Sequence, residues 1–112
     1  MNYIFSAIFL YFFLGFLLYI FQRRIVFNKS GHPGSPKDYN LDNTEEVYIK
    51  TEDNLKLLSW YHKGNNSLPL LVYFHGNSFH IGDRAYRIEK YIRKNWNVLL
   101  ISWRGFGGNK GS

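Results

Sequence analysis

From residue 4 to residue 21 the chain is an unbroken run of apolar, aromatic and small residues without a charge. At about 1.5 Å rise per residue such a run spans roughly 27 Å as a helix, close to the thickness of a bilayer core. Tyr3 and residues 19–21 place aromatic rings near its two ends, and Gln22, Arg23 and Arg24 close it; rings so placed favour the headgroup level. A cleaved signal peptide would need a basic leading region, a shorter apolar stretch and a small-residue cleavage site, and none is present. The pattern predicts a transmembrane anchor over 3–22.

The pattern then breaks. Residues 28–43 are rich in Gly, Pro, Ser, Asn and Asp, the residues of turns and loops, so 23–43 is expected to be a linker and 44–112 a partial domain. β-Branched and aromatic residues over 46–51 and 55–62, parted by Glu52, Asp53 and Asn54, predict a hairpin. Residues 68–74 are apolar on both faces, as a strand covered on both sides of a sheet should be. Ile81, Ala85, Ile88 and Ile92 then recur at helical spacing, with Arg84, Arg87, Lys90 and Lys94 elsewhere. Asp83 is the expected N-cap of that helix. A second buried strand follows over 97–102, and strand, helix, strand at this spacing is a βαβ unit with parallel strands. The expected fold class is α/β: an antiparallel hairpin and a βαβ unit after one transmembrane helix.

Charge changes the picture in one respect. The net charge of +6 falls wholly after residue 22, because the apolar run carries no charged side chain. Arg23, Arg24, Lys29 and Lys37 all follow the helix, so the positive-inside rule places the C-terminal part in the cytoplasm of a single-pass protein. The absence of cysteine removes disulfides, thiolate nucleophiles and cysteine-based zinc sites. His75 and His80 are five apart, not the four of a helical zinc pair, so no metal is expected. The tail matches neither a phosphate-binding loop, since Gly111 follows Lys110, nor an RNA-recognition strand, since the residues after Gly107 cannot continue as one. No nucleic-acid partner and no cofactor are expected.

Two glycine-bearing turns close the two apolar strands. His75-Gly76-Asn77 follows the first, and Arg104-Gly105-Phe106-Gly107-Gly108-Asn109-Lys110-Gly111 follows the second. On residues alone the first is either a plain strand-ending turn or one that offers backbone N–H groups to a ligand.

The stretch 70–111, with the apolar run and hairpin before it, resembles the N-terminal portion of α/β-hydrolases. It is most similar to the membrane-anchored subgroup related to serine aminopeptidases, lysophospholipases and acyl-protein thioesterases. The resemblance implies the N-terminal part of an α/β-hydrolase sheet, with Asn77 N–H as an oxyanion-hole donor and His75 and Gly76 shaping its turn. Acyl transfer builds negative charge on a carbonyl oxygen, and a fixed N–H donor lowers that barrier by roughly 3 kcal/mol. Gly76 is expected to allow close approach and unusual dihedrals.

The completed enzyme would be a serine hydrolase acting on an ester, thioester or amide. Its partners would be the bilayer, through residues 4–21, and an acyl-type small-molecule or lipidated substrate. Two departures bear on local loop bonding: Ser102 stands where the family has an acidic residue, and Asn109 where it has Ser. No Gly-x-Ser-x-Gly occurs, and Gly76-Asn77-Ser78-Phe79-His80 lacks the closing glycine of a nucleophile elbow. The chain is therefore expected to be inactive alone. The alternative is a small membrane-tethered binding module that uses its sheet edge.

Overall fold

The computed structural model describes residues 2–111, and its elements follow the order read from the pattern. Helix α1 (Asn2–Val26) is followed by strands β1 (Thr44–Lys50), β2 (Lys56–His62) and β3 (Leu70–Phe74), helix α2 (Ala85–Arg93) and strand β4 (Asn97–Ile101). The apolar helix runs a turn beyond the uncharged stretch and takes in Arg23 and Arg24. It is long and apolar enough to cross a bilayer, with a mean hydropathy of 2.4 over its best window, and none of that window is buried against protein.

The four strands form one sheet in the order β1-β2-β4-β3. β1 and β2 make the expected antiparallel hairpin, β2 pairs antiparallel with β4, and β3 pairs parallel with β4 in the register Leu71↔Val98 and Tyr73↔Leu100. Side chains alternate across the sheet, so Leu58, Trp60, Val98 and Leu100 fall on one face. There they meet Ile81, Ala85 and Ile88, and all seven are buried. The helical spacing of those three residues thus marks the face that packs.

Asp83 is not the cap of α2. It lies inside a 3₁₀ turn, Ile81–Arg84, whose leading residue is His80 in extended conformation, and α2 starts only at Ala85. Burial of Ile81 and Gly82 draws this turn onto the sheet ahead of the helix.

Two regions differ from what composition suggests. Residues 28–43 have the chemistry of a loop but lie against the sheet domain: Pro33, Pro36 and Leu41 are buried, and the Tyr39 ring packs on Trp60 with centroids 5.4 Å apart. Pro36–Tyr39 forms a 3₁₀ turn held by Ser35, whose N–H and Oγ both donate to Asp38 Oδ2 at 2.8 and 3.1 Å. The Gly and Pro residues set turns, and the few apolar residues among them supply the burial.

β3, expected to be covered on both sides, is covered on one. Leu71 and Tyr73 pack beneath α2, while Leu70, Val72 and Phe74 stand exposed. Pairing to β4 occupies one of its edges, and among the described residues no helix lies over the second face of the sheet.

Candidate functional site

In parallel strands the crevice for a ligand opens beyond the carboxyl ends. β3 ends at Phe74 and β4 at Ile101, in register, so the turn 75–77 and the loop 102–111 emerge side by side. The two motifs are cross-bonded there. Trp103 N–H donates to His75 Nε2 at 3.2 Å, and Trp103 Nε1–H donates to the His75 carbonyl at 2.7 Å. The His75 ring also meets Phe106 edge to face, with centroids 5.3 Å apart, and Trp103 stacks on Phe74.

The turn itself divides into a buried foot and an exposed tip. His75 is buried, whereas Gly76 and Asn77 are exposed, and Asn77 N–H makes no hydrogen bond among the described residues. Gly76 does not play the conformational part expected of it. It is not one of the glycines with positive φ, and a β-carbon placed there would meet nothing within 4 Å. Folding of these residues therefore leaves position 76 free for a larger side chain, and what glycine spares there is the open space in front of the turn.

Behind the turn runs a strap. The Asn28 carbonyl accepts Phe79 N–H at 2.6 Å, and Asn28 bridges to Ser78 in parallel fashion. The Asn28 side chain is held in turn, since Oδ1 accepts Ser30 N–H and Oγ–H at 3.1 and 2.6 Å. The chain leaving α1 is thus fixed to the back of the His75-Gly76-Asn77 turn.

Of the two departures from the family pattern, one bonds the loop after β4. Asn109 Oδ1 accepts Leu58 N–H at 2.9 Å and Nδ2 donates to the Trp103 carbonyl at 3.2 Å. Ser102 is buried with its hydroxyl unpartnered. Arg104 pairs with Asp53 through two bonds of 2.9 and 3.2 Å, away from the turn 75–77. Both partners are about half exposed, so the pair contributes little to stability. His80 Nε2 lies 3.7 Å from Asp83 Oδ2, and no cluster of three or more potential metal ligands occurs among the described residues.

Two residues of this region carry no signal in the linear pattern. Trp103 reads as one more aromatic after an apolar strand, and Asn28 as one more polar residue in a loop. Only the pairing of chain segments far apart in sequence brings them to the turn.

His75 accepts a hydrogen bond at Nε2, so its neutral form carries the proton on Nδ1, which is buried without a partner. Burial, more than any other cause, holds its pKa below the ordinary 6.5, and the nearby Arg84 and His80 act in the same direction. The unfolded chain then takes up this proton at higher pH than the folded one. The stability due to neutral His75 is complete above about pH 6.5 and is lost as pH falls toward the depressed folded value, by at most about 1.4 kcal/mol per pH unit. Thermal melts of the full chain in detergent between pH 7.5 and 5 should show this acid slope. His75→Gln should flatten it; an equal slope in the variant would place the titration elsewhere.

A mixed sheet of this order, with its candidate turns at the carboxyl ends of two parallel strands, defines an α/β-hydrolase type of domain. The chain matches the N-terminal portion of the α/β-hydrolase fold. It is 34% identical to the protein bem46 of Schizosaccharomyces pombe over 109 residues, covering 88% of this chain and 36% of that protein. It is 29% identical over 105 residues to the α/β hydrolase domain-containing protein WAV2 of Arabidopsis thaliana, covering 85% of this chain and 33% of the relative. Among solved structures, the esterase Pf2001 of Pyrococcus furiosus superposes with a TM-score of 0.56 at 27% identity, over 76% of this chain and 34% of the esterase. The chain spans about a third of the length of the curated relatives it matches. No protein-family model matches it.

Proposed function

We propose that this chain supplies the oxyanion-donor side of a membrane-anchored serine hydrolase acting on an ester, thioester or amide, with the nucleophile contributed from outside residues 1–112. The observation that carries this reading is the free, exposed Asn77 N–H at the carboxyl end of β3, braced from behind by the buried His75 and its two bonds with Trp103. Oxyanion donors must be fixed before charge develops if they are to lower the barrier. The esterase likeness favours ester chemistry. In this reading α1 is a single-pass anchor, and the basic residues after it support a cytoplasmic domain by the positive-inside rule.

The chain alone is expected to be inactive, because a donor turn without a nucleophile and base forms no acyl-enzyme. Full chain in detergent should hydrolyse an activated ester no faster than buffer and should resist labelling by a fluorophosphonate. Labelling at Ser78, with turnover abolished by Ser78→Ala, would place the nucleophile inside this segment and overturn the reading.

A further inference from the structure

At the foot of α1 the chain encloses a cleft of about 710 Å³ between the last turn of the helix and the loop after β4. Arg23, Arg24 and Lys29 line it together with the aromatic rings of Phe27, Trp103 and Phe106. Arg23, Arg24 and Lys29 lie within salt-bridge distance of no carboxylate among the described residues. Arg104 stands on the rim with its charge already taken by Asp53. Three uncompensated cations thus converge on one hollow, at a cost in mutual repulsion that an anion would relieve.

The walls narrow the kind of anion. Lys29 Nζ sits 5.7 Å from the centroid of the Phe106 ring, so one wall presents a cation backed by an aromatic face. Phe27 continues the apolar surface of α1 directly into the cleft, and Trp103 is 42% exposed beside it. An amphipathic aromatic at this height marks the boundary between headgroup and hydrocarbon. A ligand seated here meets positive charge at one end and a greasy path back along the helix at the other. A free phosphate would use only the first.

We infer that this cleft binds the phosphate of an anionic phospholipid headgroup, with the glycerol and acyl chains leaving along Phe27 and α1. The inference rests on α1 lying in a bilayer, and it places a lipid within reach of the loop that braces His75. Asn28, whose carbonyl holds Phe79 N–H, is among the residues lining the cleft.

The test uses the full chain in maltoside micelles, titrated with short-chain phosphatidic acid, with phosphatidylcholine of the same acyl length, and with inorganic phosphate, each read by calorimetry and by tryptophan fluorescence. Phosphatidic acid should bind saturably and shift the fluorescence. The triple variant Arg23→Gln, Arg24→Gln, Lys29→Gln should bind at least about tenfold more weakly, while Lys90→Gln with Lys94→Gln, exposed in and just after α2, should bind as the parent does. All three cleft cations are solvent-exposed, so neutralising them leaves the fold intact. Equal binding of phosphatidylcholine, or an unaffected triple variant, would overturn the inference. Inorganic phosphate binding as tightly as the lipid would overturn it in favour of a soluble anion. Alkaline carbonate extraction of membranes separates the two readings: release of the chain would refute the anchor, while the micelle titration scores the headgroup site independently.

Discussion

Trp60→Ala is expected to abolish the cooperative thermal transition of the sheet domain. Trp60 is fully buried at the centre of β2, with the Tyr39 ring tilted against it and the core residues under α2 around it. Truncating a buried tryptophan to alanine costs about 3–5 kcal/mol, as much as a small domain commonly has to lose. If a transition survives, its midpoint should fall by more than about 12 °C, taking roughly 4 °C per kcal/mol at this size. The conservative control is Trp60→Phe. It keeps most of the volume and removes an indole N–H that is buried without a partner, so its loss should be far smaller. A Trp60→Ala protein melting within a few degrees of the parent would show that the core lies elsewhere. Full chain in detergent, followed by near-ultraviolet circular dichroism, gives the measurement.

The second large effect concerns Gly76. In a longer chain that continues this segment with a nucleophile-bearing half, Gly76→Val should lower kcat about a hundredfold, the scale of losing one oxyanion donor. Because a β-carbon at this position meets nothing within the chain, the variant should melt as the parent does. Activity and stability are thereby separated. On the proposed role of the Asn77 N–H, a branched side chain one residue away would crowd the donor, so Gly76→Ala should fall between parent and Val. Turnover within a few fold of the parent, in a folded Val variant, would remove this turn from the oxyanion hole.

How much of this was legible in the chain varies with the range of the interaction. The hairpin, the parallel pair and the buried face of α2 follow from local alternation and helical spacing, and the fold bears them out. The exposure of Leu70, Val72 and Phe74 does not follow, because an apolar run reads the same whether one face or both are covered. The packing of 28–43 was equally hidden. Its turn residues describe the local backbone, whereas its partners, Trp60 for Tyr39 and Phe79 for Asn28, come from elsewhere in the chain.

Of the candidate site, the two glycine-bearing turns could be named from sequence, and the sheet does bring them together. The bonds that join them run through Trp103, which lies outside both glycine clusters and advertises nothing. Asp83 was misread for a related reason: an acidic residue at a helix start suits a cap, but burial of Ile81 and Gly82 set the chain's path first.

The bridge between Asn28 and the turn at Ser78 has a consequence for dimensionality. A free tether over residues 23–43 would let the domain wander with a root-mean-square reach of roughly 25 Å. The bridge instead catches the chain two residues after α1 ends at Val26. With α1 in a bilayer, the turn then keeps nearly constant height above one leaflet and travels only as the anchor diffuses sideways. For molecules dissolved in that leaflet, encounter becomes a search in a plane. The quantity governing occupancy is then their mole fraction among the surrounding lipids, so adding inert lipid at fixed total amount should lower their occupancy at the turn although nothing in the volume has been diluted.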